Sequence, residues 1–185
     1  MPGKILVLGA TGTVGSPLVA QLLAAGEAVR VASRKATPVA GAEAVRFDLA
    51  DVATHAGAFD GVDRAFLLLP TGQLDIEAAL GRVIAAAAAR RVKIVLMSVL
   101  GADADDGNPS RRGEIALAAS GVPHVILRPN WFADNFHSFW LAGIRQGVIA
   151  VPAAAGRTSF IDARDIAASA AAALRTNRFD GQAFN

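Results

Sequence analysis

Three glycines recur at every third position in Gly9-Ala10-Thr11-Gly12-Thr13-Val14-Gly15, between an apolar run at 4–8 and a stretch with helical spacing at 14–25. No other feature limits the fold so tightly, because a strand must turn sharply into a helix there. Gly9 permits the turn, Gly12 lacks a Cβ that would hold a ligand away from the backbone, and Gly15 lets the helix pack close on the strand. The free N–H groups of the first helical turn, at Val14 and Gly15, then face the turn, where the helix dipole favours an anion such as a pyrophosphate. Thr11 and Thr13 add hydroxyl donors. No Gly-Lys-Ser/Thr follows, so a P-loop is excluded.

Beyond the turn, strands and helices alternate. The apolar runs at 4–8, 28–32, 44–47, 64–69, 92–99 and 123–128 read as strands, and 158–161 reads as a short one. Helical spacing covers 14–25, 76–90, 110–119 and 163–174, and the spacing also predicts a helix over 131–144. Residues 181–185 read as the start of a further strand. This alternation specifies an α/β fold. The expected form is a doubly wound parallel sheet of right-handed βαβ units, the Rossmann arrangement, with helices on both faces and residues 1–185 as one NAD(P)-binding domain.

Hydrophobic residues make up 53% of the chain and charged residues 18%, enough apolar surface to build a core and exclude disorder. There is no Cys, which excludes disulfides, thiolate catalysis and Cys-ligated metals. His55 and His124 have no metal-ligand spacing between them. The net charge is +2 and the Arg residues are scattered, so nucleic acid is not an expected partner. No apolar stretch approaches the roughly 20 residues a bilayer span needs. The N-terminus runs into a strand without a leader, so the expectation is a cytoplasmic protein without membrane contact.

Ligands of open α/β sheets sit at the carboxyl ends of the strands. The second strand ends in Ser33-Arg34-Lys35 rather than an acidic residue. A carboxylate there would accept from the ribose 2′-OH of NAD; a hydroxyl and two cations suit the 2′-phosphate of NADP(H) instead. Asp48-Leu49 follows the third strand, where the carboxylate either accepts from the adenine amino group or caps a helix starting near Asp51. Leu68-Leu69-Pro70, Met97-Ser98 and Pro129 close later strands and are expected to line the nicotinamide half.

The catalytic machinery of Tyr-dependent short-chain dehydrogenases is missing. There is no Tyr, and of the three lysines Lys4 and Lys93 open strands at the opposite edge, while Lys35 belongs to the adenosine end. What remains is hydride transfer that needs little acid from the protein, to a quinone-like or other flat, electron-poor acceptor. Trp131, Phe132, Phe136, Phe139 and Trp140 crowd within ten residues after the sixth strand. They form a stacking pocket, or face the core or a dimer partner. Asn130 and Asn135 are the nearest polar groups to orient an acceptor, and His137 is the nearest proton donor. Glu114 reads as an exposed helix carboxylate, with a hydrogen bond inside the pocket as the alternative. Asp162 reads as a helix N-cap.

Taken together, the glycine turn, Ser33-Arg34-Lys35, Ser120-Gly121-Val122-Pro123, the segment from Leu127-Arg128-Pro129-Asn130 to Asp134-Asn135, and Phe160-Ile161-Asp162-Ala163-Arg164-Asp165-Ile166-Ala167 resemble the NmrA-like branch of the atypical short-chain dehydrogenase/reductases. Within it the closest likeness is to the NAD(P)H:quinone oxidoreductase and triphenylmethane reductase group. The resemblance spans nearly the whole chain and is most specific in its two later segments. It implies a Rossmann fold, preference for NADP(H), no Tyr-Lys pair and reductase activity. Some members of the branch bind the dinucleotide without catalysis, as redox-sensing regulators, which is the alternative. A sugar-nucleotide epimerase or dehydratase relative is a further alternative, against which the missing Tyr argues. Members usually continue past the position of Asn185 into a small region that closes over the substrate. The substrate region here therefore reads as shortened, with an open pocket unless a second subunit of a homodimer covers it.

Overall fold

The computed structural model describes residues 3–68, 76–149, 151 and 156–185. Seven strands form the main sheet: β1 (Lys4–Leu8), β2 (Val29–Ser33), β3 (Glu43–Arg46), β4 (Val62–Leu68), β5 (Lys93–Met97), β6 (His124–Leu127) and β9 (Gln182–Phe184). Their order is β3-β2-β1-β4-β5-β6-β9, and every pairing is parallel. This is a doubly wound Rossmann sheet with one added edge strand. The connections run outward from β1 in one direction and from β4 in the other, so a crevice opens between these two at their carboxyl ends.

Side-chain alternation along the strands divides the core in two. Ile5 and Val7 of β1 join Val29, Val31 and Phe66 beneath α1 (Gly15–Ala24) and α6 (Ala163–Arg175). Leu6 and Leu8 join Leu67, Ile94 and Leu96 on the opposite face. There they meet α2 (Ala53–Ala58), α3 (Ile76–Ala88) and α4 (Pro109–Ala119). Strands buried on both faces explain why the sequence shows continuous apolar runs rather than alternation. Each fully buried Leu or Ile contributes about 1.5–3 kcal/mol.

Strand and helix bounds fall within about two residues of the sequence expectation, apart from the part of 64–69 at Leu69, which lies outside the described residues. Two elements differ. The short helix α2 has no apolar periodicity long enough to announce it. The helix expected over 131–144 is instead β7 (Trp131–Phe132), a 3-10 turn at Ala133–His137 and the short α5 (Leu141–Ile144). The cause is tertiary. Trp131 and Phe132 pair with Phe160 and Ile161 of β8 (Phe160–Ile161) in a separate two-stranded sheet. Asp134 Oδ2 accepts from the Ala163 N–H at 3.0 Å, tying the turn to the start of α6. The helical spacing of the aromatic residues thus reports a cluster rather than a helix: Trp140 lies 5.1 Å from Trp131 and 5.2 Å from Phe136 between ring centroids.

Asp162 caps α6 as expected, accepting from the Arg164 N–H at 2.8 Å. Lys93 is buried at the far end of the sheet, paired with Asp180 and donating to the Thr176 carbonyl. Among the described residues no helix is long and apolar enough to cross a membrane, and no cluster of His, Asp or Glu could hold a metal ion.

Candidate functional site

The glycine turn leaves β1 at the crevice between β1 and β4. Gly9 adopts a left-handed conformation, φ +67°, and its carbonyl accepts from the Gly12 N–H at 2.9 Å. Val14 stands at the N-cap of α1 and no side chain caps this helix, whereas α4 and α6 are capped by Asn108 and Asp162. Within the first turn of α1 the Ser16 N–H donates to the Gly12 carbonyl at 3.0 Å and Pro17 carries no N–H, so the Val14 and Gly15 N–H groups are the ones left for a ligand.

Two clefts meet at this turn. The first, of about 650 Å³, is lined by Thr13, Val14 and Gly15 of the turn, by Met97 and Ser98 after β5, and by Pro129, Asn130 and Phe132 after β6. The second, of about 660 Å³, is lined by Ser33, Arg34 and Lys35 after β2 and by Asp48 and Leu49 after β3. Gly9, Thr11 and Leu68 line both. The joined outline has one end among cations, a middle at the glycine turn and the other end in an apolar recess.

Most of the expected cofactor positions converge on the two clefts; Leu69 and Pro70 lie outside the described residues. Ser33 Oγ accepts from the Thr37 N–H at 2.8 Å, which leaves its proton free to donate to a ligand. Arg34 and Lys35 are exposed and form no ion pair among the described residues. Asp48 Oδ1 accepts from the Ala50 N–H, while the entrance of α2 is served by Asp51, whose Oδ1 accepts from the Ala53 N–H. Asp48 therefore faces the second cleft and does not cap the helix.

The acceptor side is only partly gathered. Asn130 and Phe132 line the first cleft, and Asn130 Nδ2 donates to Ser159 Oγ at 2.8 Å. Trp131, Asn135, Phe136 and His137 line neither cleft; Trp131 and Phe136 belong to the aromatic cluster, and His137 is exposed.

Glu114 corrects the sequence expectation of an exposed carboxylate: its side chain is fully buried. Arg128 grips it with two hydrogen bonds, Nε to Oε1 at 3.0 Å and Nη2 to Oε2 at 2.8 Å, and Arg111 adds a third at 3.2 Å. Arg128 Nη1 reaches Asp103 at 2.6 Å. Burial pushes the Glu114 carboxyl up, but the hydrogen bonds from Arg128 and Arg111, with the Ser98 hydroxyl close by, outweigh it and hold the group below its ordinary value. The buried Ser98 hydroxyl lies against Glu114 yet makes no hydrogen bond of good geometry. The network braces the loops after β5 and β6, the walls of the first cleft. The sequence carried one signal for it, an Arg ending a buried strand, which needs a counter-charge.

Residues 9–177 match the family model described as NAD(P)H-binding. The chain belongs to this NAD(P)H-binding family. It is 36% identical over 97% of its length to a (4-alkanoyl-5-oxo-2,5-dihydrofuran-3-yl)methyl phosphate reductase of Streptomyces griseus, covering 66% of that protein. An NADPH-dependent quinone oxidoreductase of Escherichia coli, solved with NADPH, superposes with a TM-score of 0.85 at 26% identity, over 97% of this chain and 68% of that one. The fold is shared with a Citrobacter triphenylmethane reductase complexed with NADP(H), at a TM-score of 0.84 and 21% identity, over 98% of this chain and 69% of that one. The NmrA-like resemblance read from the sequence therefore holds. The chain spans about two thirds of the length of these proteins. In this NAD(P)H-binding protein the two clefts share Gly9, Thr11 and Leu68.

Proposed function

We propose that this protein is an NADPH-dependent reductase of flat, electron-poor acceptors of the quinone type, with residues 1–185 acting as one NAD(P)-binding domain. The observation that carries it is the chemistry of the first cleft. Its described walls are apolar apart from backbone, the Thr, Ser and Asn side chains, and none of them titrates. Bound NADPH supplies a hydride; the chain supplies position and exclusion of water. Thr11, Thr13 and the N–H groups of α1 hold the diphosphate. Ser98, Pro129 and Asn130 orient the carboxamide end, and Phe132 offers a face for a planar acceptor. A quinone suits such a site because its reduced form takes protons from water. A simple ketone does not, because its alkoxide needs a proton donor of a kind that the described walls do not carry.

The test follows NADPH absorbance with a panel of quinones and, as a control, aliphatic ketones. Oxidation by quinones only is expected, with a rate nearly independent of pH between about 6 and 8, since no described wall residue titrates there. Cofactor binding without turnover on any acceptor would favour a redox-sensing regulator instead.

NADP(H) is the preferred cofactor in this proposal, through Ser33, Arg34 and Lys35. Arg34→Asp places a carboxylate where the 2′-phosphate would lie. It is expected to weaken NADPH binding at least about tenfold and to improve NADH binding. Unchanged NADPH affinity in a calorimetric titration would remove Arg34 from the site.

A further inference from the structure

Arg82 lies on α3, far from the cations at the end of β2 in sequence, yet it lines the same cleft. The packed face of α3 is made by Ala79, Leu80, Val83, Ile84 and Ala87, all buried, and Arg82 stands off that face, exposed. Most other cations are already neutralised. Arg30 is paired with Glu43, Arg46 with Asp51, Arg64 with Glu27, Arg90 with Asp60 and Arg175 with Glu27. Arg34, Lys35 and Arg82 have no ion pair among the described residues, and all three border the second cleft. Among the described residues the only carboxylate on its walls is Asp48, engaged with the Ala50 N–H. Three unpaired cations around one small cleft repel one another, and an anion of high charge density relieves that repulsion.

We propose that Arg82 is a specificity-determining residue for the adenosine 2′-phosphate, which it approaches from α3 while Arg34 and Lys35 approach from the β2 end. The assignment rests on the NADPH preference proposed above and deepens it: selection is shared between two elements that line one cleft. A guanidinium there offers a fork of donors to phosphate oxygens. NADH, with a hydroxyl in place of the phosphate, gains little from it.

The test titrates wild type, Arg82→Gln and Arg82→Lys with NADPH, NADH and 2′,5′-ADP, the last isolating the adenosine end. Arg82→Gln is expected to weaken NADPH and 2′,5′-ADP about tenfold and to leave NADH within about twofold, with Arg82→Lys recovering part of the loss. The position is exposed, so circular dichroism and Tm should match wild type. Equal losses for NADPH and NADH would put Arg82 on the base or the diphosphate and overturn the assignment, as would no loss for either. A wild type that binds NADH as tightly as NADPH would overturn the NADPH preference itself, and Arg82 with it. That result appears before any variant is made, so the two failures are distinguishable.

Discussion

Gly15→Ala is expected to cost the protein both its cofactor and part of its stability. A Cβ on residue 15 would lie 2.0 Å from the Gly9 carbonyl oxygen, 2.6 Å from its carbon and 2.9 Å from the Ala10 Cα. All three are backbone atoms and none can rotate away, so the turn between β1 and α1 must open. Overpacking of this kind costs about 1–3 kcal/mol, roughly 4–8 °C of Tm near the middle of that range for a chain this size. Opening the turn also swings the N–H groups of α1 off the diphosphate, and NADPH affinity should fall at least about 100-fold. Gly12→Val separates the two effects. A Cβ on residue 12 meets only the Gly9 carbonyl oxygen, at 3.2 Å, so the fold can accommodate it with a small adjustment. Its side chain then stands in the cleft, where the cofactor must pass. The expected pair of results is a lowered Tm with lost binding for Gly15→Ala, and a near-native Tm with lost binding for Gly12→Val. Differential scanning fluorimetry and calorimetric titration read both; native behaviour of Gly15→Ala would refute the close approach.

Glu114→Ala should be the most destabilising single change away from the glycine turn. It strands the Arg128 guanidinium, 8% exposed, with Asp103 and Asn185 as its remaining side-chain partners among the described residues. Removing one partner of a buried pair typically costs about 3–5 kcal/mol, because the surviving charge keeps its desolvation penalty without compensation. Glu114→Gln keeps the shape and loses the charge, so its cost should be smaller. The pH dependence has a definite sign. The folded carboxyl titrates below its ordinary value of 4.5. Its stabilisation is therefore complete above that value and is lost as the pH falls through the lower, folded one. Chemical denaturation should show wild type losing its advantage over Glu114→Gln progressively as the pH falls below the ordinary carboxyl value of 4.5. A constant difference over that fall in pH would mean that Glu114 is not held ionised by Arg128 and Arg111.

The convergence of the glycine turn and the strand ends on two clefts was legible because its determinants are contiguous. A strand, three spaced glycines and a helix occupy residues 4–24, and the geometry they impose is local. Ser33-Arg34-Lys35 was equally plain, being the end of an apolar strand. What escaped had partners distant in sequence. Glu114 and Arg128 are 14 residues apart on α4 and after β6, and they meet only because the βα crossover folds one over the other. Arg82 has no local distinction from any other exposed helix Arg; the packing of α3 alone brings it to the cleft that Arg34 and Lys35 also line. The segment at 131–144 misled because aromatic residues at spacings of three and four fit a helix as well as a cluster. Backbone pairing of Trp131 and Phe132 with β8 settled that competition.

The sequence by itself determined the parallel α/β architecture and the glycine turn at the end of β1, since apolar runs and glycine spacing act within a few residues of themselves. Tertiary structure alone decided which charges are buried against each other, which cations remain free to meet a ligand, and which aromatic residues reach the cleft. Those outcomes depend on burial and on approach between distant elements, and no short window of sequence carries either.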